Sequence, residues 1–119
     1  MLKNKQTEEL DLDYLVEKKD KTIEKLNKSI FDLAKYETEY SEQANKYWVE
    51  TDFSEVITES RPTVDMKKAY IDMQLKDALR KIHNEERNIE ILKNELKSID
   101  TQIKVQLKYL DVICEFKGL

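Results

Sequence analysis

Leu75, Ile82, Ile89, Leu96, Ile103 and Leu110 recur every seven residues without a break. A companion line, Val64, Ile71, Ala78, Leu92, Ile99 and Ile113, fills the other apolar position of the repeat, with Glu85 and Gln106 as polar exceptions. A seven-residue repeat this long holds one stripe of a helix against a neighbour over many turns, because 3.5 residues per turn removes the drift of a free helix. The spacing predicts a helix over 64–116, roughly 80 Å long at 1.5 Å per residue. Its start is marked by Arg61-Pro62-Thr63: Pro62 disfavours helical geometry at the residue before it, Thr63 suits an N-cap, and Asp65 falls where the helix dipole favours an anion.

A similar but weaker pattern lies upstream. Val16, Ile23, Ile30 and Ala44 share one position, and Leu12, Leu26, Leu33, Tyr40 and Tyr47 share its partner, with Lys19 and Glu37 interrupting the seam. This predicts a first helix over 12–48, preceded by a flexible segment, 1–11. Between the helices, 49–63 loses the period and mixes β-branched residues with Asp and Ser, which compete for backbone hydrogen bonds. One glycine and one proline in 119 residues leave almost no turn chemistry elsewhere, so long helices are the expectation. The predicted fold is all-α and a single domain: a long antiparallel two-helix hairpin of coiled-coil type, associating into an oligomeric helical bundle.

Unequal helix lengths motivate the oligomer. With Trp48 beside Val64 at the hinge, Leu12 lies near Asp100, and 101–116 overhangs the first helix. Val105, Leu107, Tyr109, Leu110, Val112, Ile113, Cys114 and Phe116 in that stretch cannot all face one neighbour, and burying each large side chain is worth roughly 1.5–3 kcal/mol. Two-fold or higher symmetric pairing of the C-terminal halves is expected, with Ile103, Leu107, Leu110, Ile113 and Phe116 as the oligomerisation residues. Cys114, the single cysteine, is expected to be a small buried side chain in a reducing compartment.

The residues that usually carry catalysis are scattered. The only glycine is Gly118, which excludes a glycine-rich phosphate cradle. His83 and Cys114 are each the only residue of their kind and are separated along one straight helix. Glu85-Glu86 and Glu37 with Glu39 read as solvated helix faces, and no Glu-x-x-His pair suggests a di-metal centre. The expectation is a protein that is not an enzyme and has no cofactor and no metal. No run of 18 apolar residues is present, so a soluble cytoplasmic protein without membrane contact is expected.

Two surfaces suit a partner. Between Glu37 and Glu59 seven acidic residues face one base, Lys46, which gives this stretch a charge of −6. Tyr47, Trp48 and Phe53, with Glu50 and Asp52, make the hinge a candidate site for another protein, since aromatic residues anchor interfaces. The alternative is that the rings cap the end of the bundle through Met66, Tyr70 and Met73. On the second helix Lys76, Arg80, Arg87, Lys97, Lys104 and Lys108 lie opposite the seam. Together with Lys67 and Lys68 they form a candidate nucleic-acid surface, because a basic stripe neutralises successive phosphates.

The stretch "LAKYETEY", a short polar hinge, and "RPTVDMKKAYIDMQL" leading into a long Leu/Ile heptad resemble small helical-hairpin proteins of phages and mobile elements of low-GC bacteria. The layout over about residues 30 to 116 is similar to phage recombination mediators, oligomeric helical proteins that bind single-stranded DNA and help load a recombinase. That resemblance implies a bacterial host cell and DNA-facing roles for Lys67, Lys68 and the stripe from Lys76. Secreted hairpins with a Trp-x-Gly turn are excluded, because Trp48-Val49-Glu50 has no glycine. The functional expectation is a non-enzymatic oligomeric scaffold or adaptor acting through protein–protein contact. The alternative is a recombination accessory protein that binds single-stranded DNA.

Overall fold

The computed structural model describes the backbone of residues 2–117 except Glu59, and side-chain surroundings over 12–115 with the same exception. Four helices follow one another: α1 (Leu2–Glu50), α2 (Phe53–Val56), α3 (Val64–Gln74) and α4 (Lys76–Lys117). No strand occurs among the described residues, and no helix among them is long and apolar enough to cross a membrane.

α1 begins at Leu2, ten residues before the seam does. "LKNKQTEELD" contains no breaker and is rich in straight-chain residues that lose little side-chain freedom in a helix. Because α1 starts at Leu2 and not at Leu12, it has ten further residues on the side where the chain after Thr101 was expected to overhang. α2 lies inside the stretch expected to be loop and is capped by Asp52, whose carboxylate accepts from Ser54 N at 3.1 Å. At α3 the cap is Thr63, as its position after Pro62 suggests, with Oγ1 accepting from Met66 N at 3.2 Å and Asp65 in the first turn. Leu75 separates α3 from α4, yet its N–H bonds Ile71 O at 2.9 Å and its carbonyl accepts from Leu79 N at 3.0 Å. The seam therefore passes through the irregularity without losing its phase.

Two compact units are present, Met1–Lys28 with Asn88–Leu119, and Ser29–Arg87. In the first, Lys19 Nζ of α1 meets an Asp100 carboxylate oxygen of α4 at 2.7 Å, and Tyr14 and Leu15 line a cleft with Gln102 and Gln106. Rising numbers on α1 meet falling numbers on α4, so the pairing is antiparallel. The ion pair is more than one third exposed on both sides, which limits it to at most about 1 kcal/mol. In the second unit Tyr36 lies beneath Lys81, Tyr40 bonds Asp72, and Trp48 lies beneath Lys67. That pairing is antiparallel too.

α3 and α4 bury the line that the heptad indicates. Ile71, Leu75, Ile82, Ile89, Leu92 and Ile99 are buried, with Ile99 only 2% exposed, and Ala78, Glu85, Leu96, Ile103, Gln106, Leu110 and Ile113 are half-buried. Val64 is the exception: it is exposed in the first turn of α3, one repeat before Ile71, where the heptad extrapolates past the last covered position.

α1 differs from the sequence reading. The buried side chains are Leu15 and Thr22 in the first unit and Ser29 in the second, each one residue before the apolar candidate, while Val16 and Ile30 are each 47% exposed. The cause is legible near the hinge. Within the second unit the covered positions run Ser29, Leu33, Tyr36, Tyr40, Ala44 and Tyr47, with Asp32 half-buried at their edge; the run is a heptad with one step of four where three would continue it. A strict repeat leading back from Ala44 would have placed Glu37 in the seam. The extra step places Tyr36 there and leaves Glu37 exposed. Burying an unpaired carboxylate costs several kcal/mol, whereas a buried Thr hydroxyl satisfies itself within its own helix. Thr22 Oγ1 does so, donating to Lys18 O at 2.8 Å.

This register makes opposite forecasts for two isoleucines. Ile99→Ala should cost about 2–5 kcal/mol of unfolding free energy, the range for emptying a buried aliphatic site. Ile30→Ala should cost less than about 1 kcal/mol, as at an exposed position. Urea denaturation of the two variants measures the difference, and comparable losses would restore the strict heptad.

Candidate functional site

The hinge end of the second unit is built around Phe53. Asp52 caps α2 and so fixes where the Phe53 ring enters; the ring is buried with Ile71 and Leu75, and Tyr40, Ala44, Tyr47, Ile57, Tyr70 and Ala78 pack on this cluster. Trp48 meets Phe53 edge-on, with centroids 5.8 Å apart, and Tyr70 meets it from another side at 6.2 Å and 85°. Lys67 Nζ lies 5.3 Å from the Phe53 centroid and 6.0 Å from that of Trp48. Its positive charge faces two ring surfaces, an arrangement worth about 0.5–1 kcal/mol where water still reaches it.

These contacts divide the five hinge candidates. Phe53 is buried and Tyr47 half-buried, so both serve the core, while Trp48, Glu50 and Asp52 are exposed. Asp52 also accepts from Ser54 Oγ, so its carboxylate is already engaged locally. Glu50 closes α1 and lines an open cleft of about 590 Å³ with Tyr47, Lys46 and Leu75. Across α1 a second cleft, about 380 Å³, runs between Ser41, Asn45 and Trp48 on one side and Val64 and Lys68 on the other. Of the rings that could cap the bundle, Phe53 and Tyr47 pack inward with Tyr70. Met66 and Met73, which were to complete that cap, are exposed. Val49, 82% exposed, and Val64 also belong to this surface, and the sequence marks Val49 only by its place after the last seam residue, Tyr47.

Behind this surface Tyr40 donates its hydroxyl to Asp72 Oδ1. The phenol is pushed up to about 12, first because Asp72 accepts a hydrogen bond from its O–H, then through burial, then through the carboxylate's negative charge.

The basic candidates also separate. Lys67 is half-buried against the rings, and Lys68 stands exposed at the cleft. Lys76, Arg80 and Arg87 are exposed on the second unit; Lys97, Lys104 and Lys108 are exposed on the first. Among the oligomerisation candidates Ile103, Leu110 and Ile113 are half-buried in the seam, Leu107 is exposed, and the side chain of Phe116 lies outside the described residues. Val105, Tyr109 and Val112 are exposed beside them. Cys114 is exposed, contrary to expectation, because the seam uses Leu110 and Ile113 and turns the next residue outward. Comparison with protein-family models, curated proteins and solved structures finds no match to this chain.

Tyr40 gives the fold a pH dependence with a definite sign. The phenol has a value of 10.0 when unperturbed and about 12 when folded, so between those limits only the folded chain retains the proton. The stabilisation is complete below about pH 10 and is lost as pH rises to about 12. Tyr40→Phe should lower stability near neutral pH by about 1 kcal/mol, the usual size for such a bond at a partly exposed site. It should also make the alkaline decline shallower. Denaturant titrations across that window check both, and superimposable curves for the two proteins would contradict the assignment.

Proposed function

We propose that this protein is a non-enzymatic helical scaffold or adaptor that self-associates and docks another protein at its hinge end. The observation that carries this reading is the composition of that end. Trp48, Val49, Val64 and Met66 remain exposed over a core anchored by Phe53, and Glu50, Asp52, Glu55 and Asp65 are exposed nearby. Exposed aromatic and apolar side chains on a platform ordered by caps and ring contacts suit an interface, since little conformational freedom is lost on binding. Self-association is the part of this reading that the apolar side chains left exposed on the first unit support.

A second reading is favoured by the exposure of Lys76, Arg80, Arg87, Lys97, Lys104 and Lys108. In it the protein is a recombination accessory, similar to phage mediators, holding single-stranded DNA along α4. The acidic hinge and the net charge of −4 weigh against this, because they repel nucleic acid over part of the surface.

Single-stranded DNA binding at about 50 mM salt separates the two, since electrostatic binding is strongest when counterions are scarce. The scaffold reading expects none. If binding occurs, the double substitution Arg80→Ala, Arg87→Ala should flatten its salt dependence by roughly one unit per lost phosphate contact. For the scaffold, Trp48→Ala should abolish capture of the protein partner, while Lys97→Ala should not. Light scattering of the wild type should give at least a dimer, and a monomer at high micromolar concentration would remove self-association from the proposal.

A further inference from the structure

We propose that Val105, Tyr109 and Val112 form the seam of an antiparallel two-fold pair with the same stretch of α4 in a second copy of the chain. This rests on the self-association proposed above and supplies its interface.

In the first unit, Ile99, Ile103, Gln106, Leu110 and Ile113 form the buried or half-buried line of α4. Spacings of four and three put Val105, Tyr109 and Val112 on one stripe, roughly a third of a turn around the helix from that line. They are 61%, 42% and 55% exposed. Four-three spacing of apolar side chains is what a second helix needs for knobs-into-holes packing. On the opposite flank only Leu107 among the large apolar residues of this stretch is exposed, and a lone leucine makes no seam.

Charge identifies the occupant. Lys108 and Glu115, both exposed, lie on the same edge of the stripe, one residue before Tyr109 and three after Val112. Set Tyr109 opposite the partner's Val112 in antiparallel sense. Two-fold symmetry then sets Val112 opposite the partner's Tyr109, and the edge positions bring Lys108 beside the partner's Glu115 and Glu115 beside the partner's Lys108. One register satisfies the two Tyr109–Val112 layers and two opposite-charge contacts, and it sets Val105 opposite position 116 of the second copy. A parallel pair would put Lys108 beside the partner's Ile113 and leave both charges without a counterpart. The stripe therefore complements itself, and only in one direction. Because it spans about two turns, it falls short of the roughly 800 Å² per partner of a standard interface, and the pair should dissociate measurably on dilution.

Sedimentation equilibrium of the full chain over a concentration series tests this. The wild type should be a reversible dimer, and Val105→Asp and Val112→Asp should each weaken it roughly tenfold or more, a loss of at least 1.4 kcal/mol. Leu107→Asp should leave it unchanged. Lys108→Glu and Glu115→Lys should each weaken the dimer, and the double variant should recover it; these exposed positions leave the fold intact, which far-ultraviolet circular dichroism verifies. A dimer that ignores Val105 and Val112, or a double charge exchange that fails to recover association, overturns the interface while leaving self-association standing. A monomeric wild type removes both.

Discussion

The packing of α1 keeps Glu37 out of the seam. Glu37 stands where an unbroken seven-residue repeat counted back from Ala44 would be buried, and the helix avoids it by using Tyr36. That substitution of neighbours moves the covered line by one residue. Its consequence in the second unit is a buried Ser29 beside an exposed Ile30, and the first unit shows the same offset in Thr22 with Ile23 and Leu15 with Val16. The exchange is favourable because hydroxyls can bond within their own helix, as Thr22 does, whereas a buried unpaired carboxylate has no such remedy. Tyr36 gains a further contact, with Lys81 Nζ 5.9 Å from its ring.

The hinge end converts local caps into a surface. Asp52 and Thr63 fix the starts of α2 and α3, and between them Phe53 is driven into the cluster with Ile71 and Leu75. Once Phe53 fills that position, Trp48 can only lie against its edge, and Val49 and Val64 have no interior left to enter. Exposure of apolar residues here follows from a two-helix pair too thin to cover every side. Lys67, a candidate phosphate contact in the sequence, lies over the rings of Trp48 and Phe53. A cation adjacent to two aromatic faces has a local partner that composition alone cannot reveal.

Much of the architecture was legible. The line from Ile71 to Ile113 needed no correction, because every member is apolar except Glu85 and Gln106 and no competing stripe on α3 or α4 is as regular. The cap at Thr63 was legible from Pro62 and Asp65, which act within one turn. On α1 two stripes compete, both using Leu12, Leu26 and Leu33, and periodicity cannot choose between Val16–Ile23–Ile30 and Leu15–Thr22–Ser29. The candidate surfaces were legible as regions more than as residues. Aromatic and acidic content marked the hinge, but whether a ring is core or surface depends on which side chains fill the limited interior.

By itself the sequence determined that this chain is helical, where its strongest seam runs and where α3 begins, since those follow from spacing and from contacts between near neighbours. Only the tertiary structure decided the phase of α1, the burial of Phe53, the engagement of Lys67 and the exposure of Val105, Tyr109, Val112 and Cys114. Each of those is a competition between side chains distant in sequence for the same limited interior, and its outcome is set by shape and desolvation once the helices meet.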